Sequence, residues 1–373
     1  MCSRVMRGEY KTPGGKLVGV NVTVDAQSGR ATACHVDGDF FVEGDDTAAN
    51  TLIADIEHAL IAGKPIAPVI NQHRSVRIVG TDATAIETAF ARAVGNSTAS
   101  KSAANRPHSS TQHSSTQHSN TQHSIADIAS PTQLADWRNR WRQLSPVIVR
   151  DTPRSPADQM MIDEQWAREV AAGRRPATIR FWQWAAPAVV VGRFQSIPDE
   201  VHEDIAAREG FAIVRRCTGG GAMFIEPGNT ITYSLYAPRD FATGISIEES
   251  YRLCDMWLVA ALRNLGLTVH FGGLNDIASQ HGKIGGAAQR RFAPTGGGPG
   301  AILHHVTLAY DIDASTMARV LNTSPEKLSD KAVKSAVKRV DPLRSQTGLS
   351  REAVIDQLVN SLERGDVLDA GEL

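Results

Sequence analysis

Charge imbalance is absent from this 373-residue chain: 39 Lys and Arg against 40 Asp and Glu leave a formal net charge of -1. There is no basic field to attract nucleic acid and no acidic excess to hold the chain open. Charged residues make up 21% and aromatics only 6%, while the apolar fraction of 42% is ordinary for a globular protein. No apolar run is long enough to cross a bilayer. The opening "MCSRVMRGEYKTPGGK" lacks the apolar core of a secretory signal. Cysteine is scarce: Cys2, Cys34, Cys217 and Cys254 stand far apart with no CxxC pair. That excludes a disulfide framework and a structural zinc site, and it fits a cytoplasmic protein. HExxH is also missing, so no zinc is assigned.

The length allows two or three domains, and the chain divides by composition. Between Asn96 and about Ser130 it turns to Ser, Thr, Gln, Asn and His, with a pentad repeat setting His108, His113, His118 and His123 in register. Such a stretch buries too little apolar surface to offset its ordering entropy. Residues 96–131 therefore read as a flexible linker; a metal-binding His tract is the alternative, but five-residue spacing fixes no coordination geometry. Residues 1–95 read as a small α+β domain. Leu17 to Val24 alternate like a half-buried strand, and Leu52, Ile53, Ile56, Leu60 and Ile61 give a helical face with Thr47 or Asn50 as cap and Gly63 as stop. Its "TPGGK" fails the spacing of a nucleotide-binding P-loop. Residues 132–373 form the larger domain. Ser155 and Pro156 open one helix; Ser246 with Glu249 makes a capping box for another that ends at Gly266. Strands and helices are mixed rather than strictly alternating. The expected fold class is α+β, a mixed sheet flanked by helices and not a Rossmann fold.

Four clusters carry chemistry. "RRCTGGGAMF" sets Arg215, Arg216 and Thr218 before Gly219, Gly220 and Gly221, between strands. A glycine bulge in an edge strand and a backbone that meets a ligand both account for it. Arg216 has the planar fork that suits a carboxylate or phosphate. "GKIGGAAQRR" surrounds Lys283 with small residues, as a phosphate-neutralising lysine needs, although a solvated hairpin lysine looks the same. "GGLNDI" offers Asn275 and Asp276, either a turn or partners for a nucleotide or Mg2+. "HHVTL" puts His304 and His305 at the start of a strand.

Taken in order, "RRCTGGGAMFIEPGN", "GLNDI", "KIGGAAQRR" and "HHVTL" resemble the lipoate–protein ligase A family of the biotin/lipoate ligase superfamily, from about Val147 to the end and including "KSAVKRVDPL" near Lys334. Residues 1–95 resemble the accessory domain of those ligases through "GEYKTPGGKLV", "GDFF" and "ADIEHALIAGKP", here fused at the N-terminal side. The resemblance implies a class II synthetase-like catalytic fold. It also implies two steps: lipoate or octanoate attacks the α-phosphate of ATP, then a lysine of a lipoyl domain takes the acyl group. The acceptors implied are the E2 subunits of 2-oxoacid dehydrogenases and the glycine cleavage H protein. By the same resemblance Lys283 is the catalytic residue. Arg216, Thr218, Gly219, Gly220, Gly221, Gly228, Asn229, Asn275, Asp276, Gly286, Ala288, His305 and Thr307 hold substrate or ATP. Ala222 and Met223 line an acyl slot with Trp182 or Trp184 as wall, and Asp276 is the Mg2+ ligand.

Ile225 stands where the family often has His. A related branch of octanoyltransferases works without ATP through a cysteine in a "P-x-C-F" stretch upstream of the lysine; "GGLNDI" has none. Cys254 reads as buried and structural, and Cys217, close to the glycines, is the candidate nucleophile for that alternative. The Gly-Arg-Gly-Arg-type loop of biotin ligases is replaced by "RRCTGGG". A lipoate-binding protein without catalysis is the remaining alternative. The accessory domain is expected to close over the acyl-adenylate, with passive tethering as the other reading.

Overall fold

The structure, a computed structural model, describes residues 3–95, 129–328 and 342–365. The His-containing pentads and nearly all of "KSAVKRVDPL" lie outside the described residues. The N-terminal unit runs β1 (Ser3–Lys11), β2 (Leu17–Asp25), β3 (Ala31–Gly38), β4 (Phe41–Glu43), α1 (Asp46–Ile61), α2 (Ala67–Gln72), β5 (Arg77–Val79) and α3 (Ala83–Ala93). The first three strands form an antiparallel sheet, and β4 pairs with β5. Val18, Val20 and Val22 of β2 pack with Leu52, Ile56, Ile86 and Ala89 of the helices in a core of their own. Asp45 caps α1 through the N–H groups of Thr47 and Ala48, so the cap lies before Thr47 and Asn50, the two candidates read from the sequence.

The larger unit contains α4 (Pro131–Leu144), β6 (Val147–Arg154), α5 (Pro156–Ala171), β7 (Thr178–Trp184), β8 (Ala188–Val191), α6 (Ile197–Glu200), α7 (Glu203–Arg208), β9 (Ala212–Arg215), β10 (Met223–Ile225) and β11 (Thr230–Pro238). It continues with α8 (Ile247–Asn264), β12 (Val269–Gly272), β13 (Asp276–Ser279), β14 (Gly282–Phe292), β15 (Ala301–Ala309), α9 (Ala314–Val320), α10 (Leu343–Thr347) and α11 (Arg351–Arg364). Ser130 and Pro131 belong to the start of α4, through a capping box with Gln133, so helix begins inside the stretch read as linker. Seven strands form the main sheet in the order β12-β13-β14-β15-β11-β7-β6, antiparallel except for β6 beside β7. A second sheet has the order β10-β8-β9. The "TIRFWQW" and "AVVV" strands, adjacent in sequence, thus part company into different sheets.

The two faces of the main sheet meet different partners. On one, Ile231, Tyr233, Leu235, Val306 and Leu308 pack against α8, whose Leu253, Cys254, Trp257, Leu258 and Leu262 are all fully buried. Each such Leu or Val contributes roughly 1.5–3 kcal/mol relative to exposure. The capping box of Ser246 and Glu249 opens this helix as the sequence reading expects. On the other face α5 lies against β11 and β15, with Gln159 and Asp163 buried in its first half and Ala167, Val170 and Ala171 packed on Tyr236, Ala301 and Leu303 in its second. This is the face that carries the site.

The N-terminal unit docks on the larger one by ion pairs around a small apolar contact. Asp46 at the start of α1 meets Arg193 at 2.6 Å and also Arg290. Arg7 bridges Asp37 of its own unit and Asp199 of the other. Lys327 lies 2.5 Å from Glu200 and 3.2 Å from Asp39. Burial pushes the Glu200 carboxyl up to about 7, and nearby Asp39 adds to this, against the opposing pull of Lys327. An acid whose folded-state pKa is raised contributes stability in its protonated form, and that contribution is lost as pH rises from its unfolded value to about 7. Glu200→Gln should therefore flatten the fall in melting temperature between pH 5 and pH 7.5. Thermal scans of the two proteins across that range check it; parallel profiles would mean that Glu200 does not titrate there.

Candidate functional site

One row of side chains crosses five strands of the main sheet. Asp276 pairs with Gly286, Gly286 with Thr307, Thr307 with Thr232 and Thr232 with Trp182. At about 4.8 Å between strands the row is roughly 19 Å long. It begins at a carboxylate, passes over a glycine and two hydroxyls, and ends at an indole. Trp184, two residues along β7, donates from Nε1 to Thr232 Oγ1 at 3.1 Å, and Thr232 Oγ1 lies 3.2 Å from Thr307 Oγ1.

Lys283 reaches this row because of a bulge. The register between β13 and β14 shifts so that Ile277 faces Gly285 but Ala278 faces Lys283, leaving Ile284 as the extra residue. Without that insertion Lys283 and Gly286, three apart, would point to opposite faces. With it, Ile284 turns into the core and Lys283 joins Asp276, with Nζ 2.7 Å from Oδ1. Gly286 lies beneath the pair: a Cβ there would stand 2.7 Å from Lys283 Nζ. Asn275 is pinned to β14 by its amide, which donates to the Ala287 carbonyl at 2.5 Å. Gly228 and Asn229 form the turn before β11, where the Asn229 carbonyl accepts from the N–H groups of Tyr310 and Asp311.

The opposite end of the row is apolar. Trp182, Trp184, Ala188, Val190 and Ile225 form one buried cluster with Met160, Val214 and Met223 against it. Ile225, where the family often has His, is thus part of an apolar wall. Ala222 is separate from Met223: it packs with Phe211 and Phe224 in another cluster, so the two neighbours read together as one wall belong to different clusters. Trp182 Nε1 is buried without a hydrogen-bond partner.

The next row, Ala288, His305, Ser234 and Arg180, supports the glycine loop. Asp163 of α5 accepts from Ser234 at 2.6 Å, from Tyr236 at 2.7 Å and from His305 Nδ1 at 2.7 Å. Burial lowers the His305 pKa, which keeps the ring neutral. With Nδ1 donating to Asp163, Nε2 accepts from Thr218 Oγ1 at 2.8 Å. Thr218 in turn accepts from Arg216 Nε at 3.0 Å. The Arg216 guanidinium also donates to the carbonyls of Val190, Gly219 and Gly221. Its fork is therefore filled by the glycine loop, where the sequence reading assigned it to a carboxylate or phosphate. His305 lies mid-strand, not at a strand start, and is buried at 4% exposure between Asp163 and Thr218. Its neighbour His304 points to the other face and bonds Asp255 at 2.7 Å.

The glycines meet the N-terminal unit. A Cβ on Gly219 would stand 2.6 Å from the Phe40 carbonyl and 3.1 Å from Phe41, and Gly220, at φ +92°, lies under the Phe41 ring. What lies against this backbone here is the tip formed by Asp39, Phe40 and Phe41. The sequence offered no sign of that contact, since "GDFF" and "TGGG" are some 180 residues apart. No group of three or more His, Cys, Asp and Glu side chains that would hold a metal ion occurs among the described residues. Asp276, already paired with Lys283, offers a magnesium ion one carboxylate, which fits an ion carried by phosphates and not a protein-built cage.

Residues 155–363 match the family described as lipoyl protein ligase A/B catalytic domain. The chain belongs to that family. Among curated relatives, an octanoyltransferase LipM of Exiguobacterium is 30% identical over 44% of this chain and 66% of its own length. Lipoate–protein ligase A subunit 1 of Thermoplasma acidophilum is 29% identical over 59% of this chain and 81% of its own. A probable lipoate–protein ligase A of Mycoplasma genitalium is 33% identical over 52% and 54%. A solved bipartite lipoate–protein ligase from T. acidophilum, described with its E2 lipoyl domain, is 28% identical at a TM-score of 0.49, covering 60% of this chain and 84% of that one. The family includes both ligases and octanoyltransferases by name, and the mixed α+β fold agrees with membership.

Gly286→Ala should separate geometry from stability. The new methyl presses on the far end of a flexible lysine, so melting temperature should hold while acylation falls about 10- to 100-fold. A melting scan alongside a lipoyl-domain acylation assay checks it; full activity would remove Lys283 from the proposed position over Gly286.

Proposed function

We propose that this protein activates lipoate or octanoate with ATP and transfers the acyl group to a lysine of a lipoyl domain. The observation that carries this reading is the row itself: a Lys283–Asp276 pair at one end, an apolar wall of Trp182, Trp184 and Ile225 at the other, and small or hydroxylated residues between. A C8 acid joined to a nucleotide has the same division, an apolar chain and a charged anhydride. In the first step a carboxylate oxygen bonds to the α-phosphorus. The bond from that phosphorus to the β-phosphate oxygen breaks, and pyrophosphate leaves with the electron pair. Lys283 neutralises charge as two anions meet. In the second step the acceptor amine attacks the acyl carbon, AMP leaves, and the amine proton passes to solvent. Magnesium would come with the ATP phosphates, with Asp276 as its one protein carboxylate. Ala288, Thr307 and Thr218 shape the floor, and Gly228 and Asn229 border it from the turn before β11. We place residues 1–95 as an accessory domain and 132–373 as the catalytic one. The acceptors proposed are E2 lipoyl domains and the glycine cleavage H protein.

The competing reading is an octanoyltransferase that works through a cysteine thioester, and several relatives bear that name. The cysteines described here argue against it. Burial pushes the Cys217 thiol up to about 12, and Cys34 likewise to about 12; Cys254 is raised well above its ordinary value. None is poised as a thiolate, the form that attacks. Two measurements test the choice. Mixing the protein with lipoate and ATP should release pyrophosphate, and Cys217→Ala should keep ATP-dependent lipoylation within a few-fold. A trapped acyl thioester on the wild type, abolished in Cys217→Ala, would establish the transferase instead.

Deleting residues 1–95 should slow pyrophosphate release, because the tip at Phe40–Phe41 and the arm of Lys16 leave with it. An unchanged rate would reduce the N-terminal unit to a tether.

A further inference from the structure

The "TPGGK" turn failed as a P-loop by spacing, yet it delivers its lysine to the site. Lys16 Nζ lies 2.7 Å from Asn275 Oδ1, across the boundary between the two units. Asn275 is the residue before Asp276, whose carboxylate holds Lys283. Two ammonium groups from different parts of the chain therefore flank one Asn-Asp step.

The turn is built to hold this arm. The Gly15 N–H donates to the Thr12 carbonyl at 2.8 Å, and the Lys16 N–H donates to the Gly80 carbonyl at 2.6 Å. Leu17, the next residue, is buried in the core, which fixes the base of the arm. Its stem then passes over Gly80, where a Cβ would stand 2.5 Å from Lys16 Cγ, and Nζ lies 5.6 Å from the Phe41 ring centre. A phosphate oxygen is a strong partner for an ammonium, and lysine serves phosphate as a point charge that needs no fixed fork geometry.

We infer that Lys16 is a phosphate-binding residue of the adenylation step, supplied by the N-terminal unit and acting beside Lys283 on the polyphosphate of ATP. This rests on the ATP-dependent reading above. When the acid's oxygen bonds to the α-phosphorus and the bond to the β-phosphate oxygen breaks, negative charge collects on the departing pyrophosphate. Two ammoniums at the end of the row offset more of that charge than one. The seat is complete only with the N-terminal unit docked.

The test uses the full chain as wild type, Lys16→Met, Lys16→Arg and, as control, Lys64→Met at an exposed position of the same unit. Pyrophosphate release is followed against ATP concentration. Acyl transfer to a lipoyl domain from supplied lipoyl-AMP is measured separately, and melting temperature is recorded. Lys16→Met should raise KM for ATP roughly 10-fold or more, the loss of one charge-assisted contact. KM for lipoate, transfer from lipoyl-AMP and melting temperature should hold, Lys16→Arg should recover part of the ATP affinity, and Lys64→Met should match wild type. Wild-type ATP dependence in Lys16→Met overturns the inference, as do equal losses in both half-reactions with a lowered melting temperature. A wild type that releases no pyrophosphate overturns the ATP-dependent reading first, and this inference with it.

Discussion

The guanidinium of Arg216 is buried at 4% exposure, and the donors that leave it end on Val190, Thr218, Gly219 and Gly221. A buried cation is costly unless its hydrogen-bonding capacity is met, and here backbone dipoles meet it in place of a carboxylate. Burial lowers its pKa only to about 10, so the charge persists at neutral pH. The glycine loop is thereby wrapped on a charge and its outward face is left without side chains. Everything the loop touches depends on that wrapping: the Thr218 hydroxyl beneath it and the Phe40–Phe41 tip above it.

From Thr218 the hydrogen bonds continue through His305 to Asp163, which also takes Ser234 and Tyr236. Such a satisfied buried network fixes one arrangement of its members, since any partner left unpaired would carry a large desolvation cost. It ties α5, β11, β15 and the loop into one unit beside the row that runs from Asp276 to Trp182. The chemistry proposed for the row needs fixed distances between a charged end and an apolar end. The network supplies rigidity there without taking part in bond making.

Much of this was legible in the residues. The helix caps at Ser155 and Ser246 were readable because capping is local: a hydroxyl and a backbone N–H three residues apart decide it. The ordered motifs identified the family, and "GKIGGAAQ" marked Lys283 through its small neighbours. Arg216 was singled out for an anion, and in the fold its donors end on Thr218, Val190 and the glycine loop. A planar fork beside glycines suits an anion and a ring of carbonyls equally well, and only the fold says which is within reach. His305 shows the same limit, since its partners Asp163 and Thr218 lie 142 and 87 positions away in the chain.

The sequence by itself determined the class of fold, the family, the two blocks of ordinary composition and the types of side chain available for the site. Local propensity, composition and motif order are properties of neighbouring residues, so they survive being read without coordinates. Tertiary structure alone decided that Ile284 bulges and turns Lys283 onto the face of Asp276, and that Phe41 covers the glycines. It alone brought Lys16 of a rejected motif to Asn275, 259 residues on. The reason is physical: strand register and unit docking are settled by the sum of many distant contacts, and a single inserted residue reverses which face every later side chain meets.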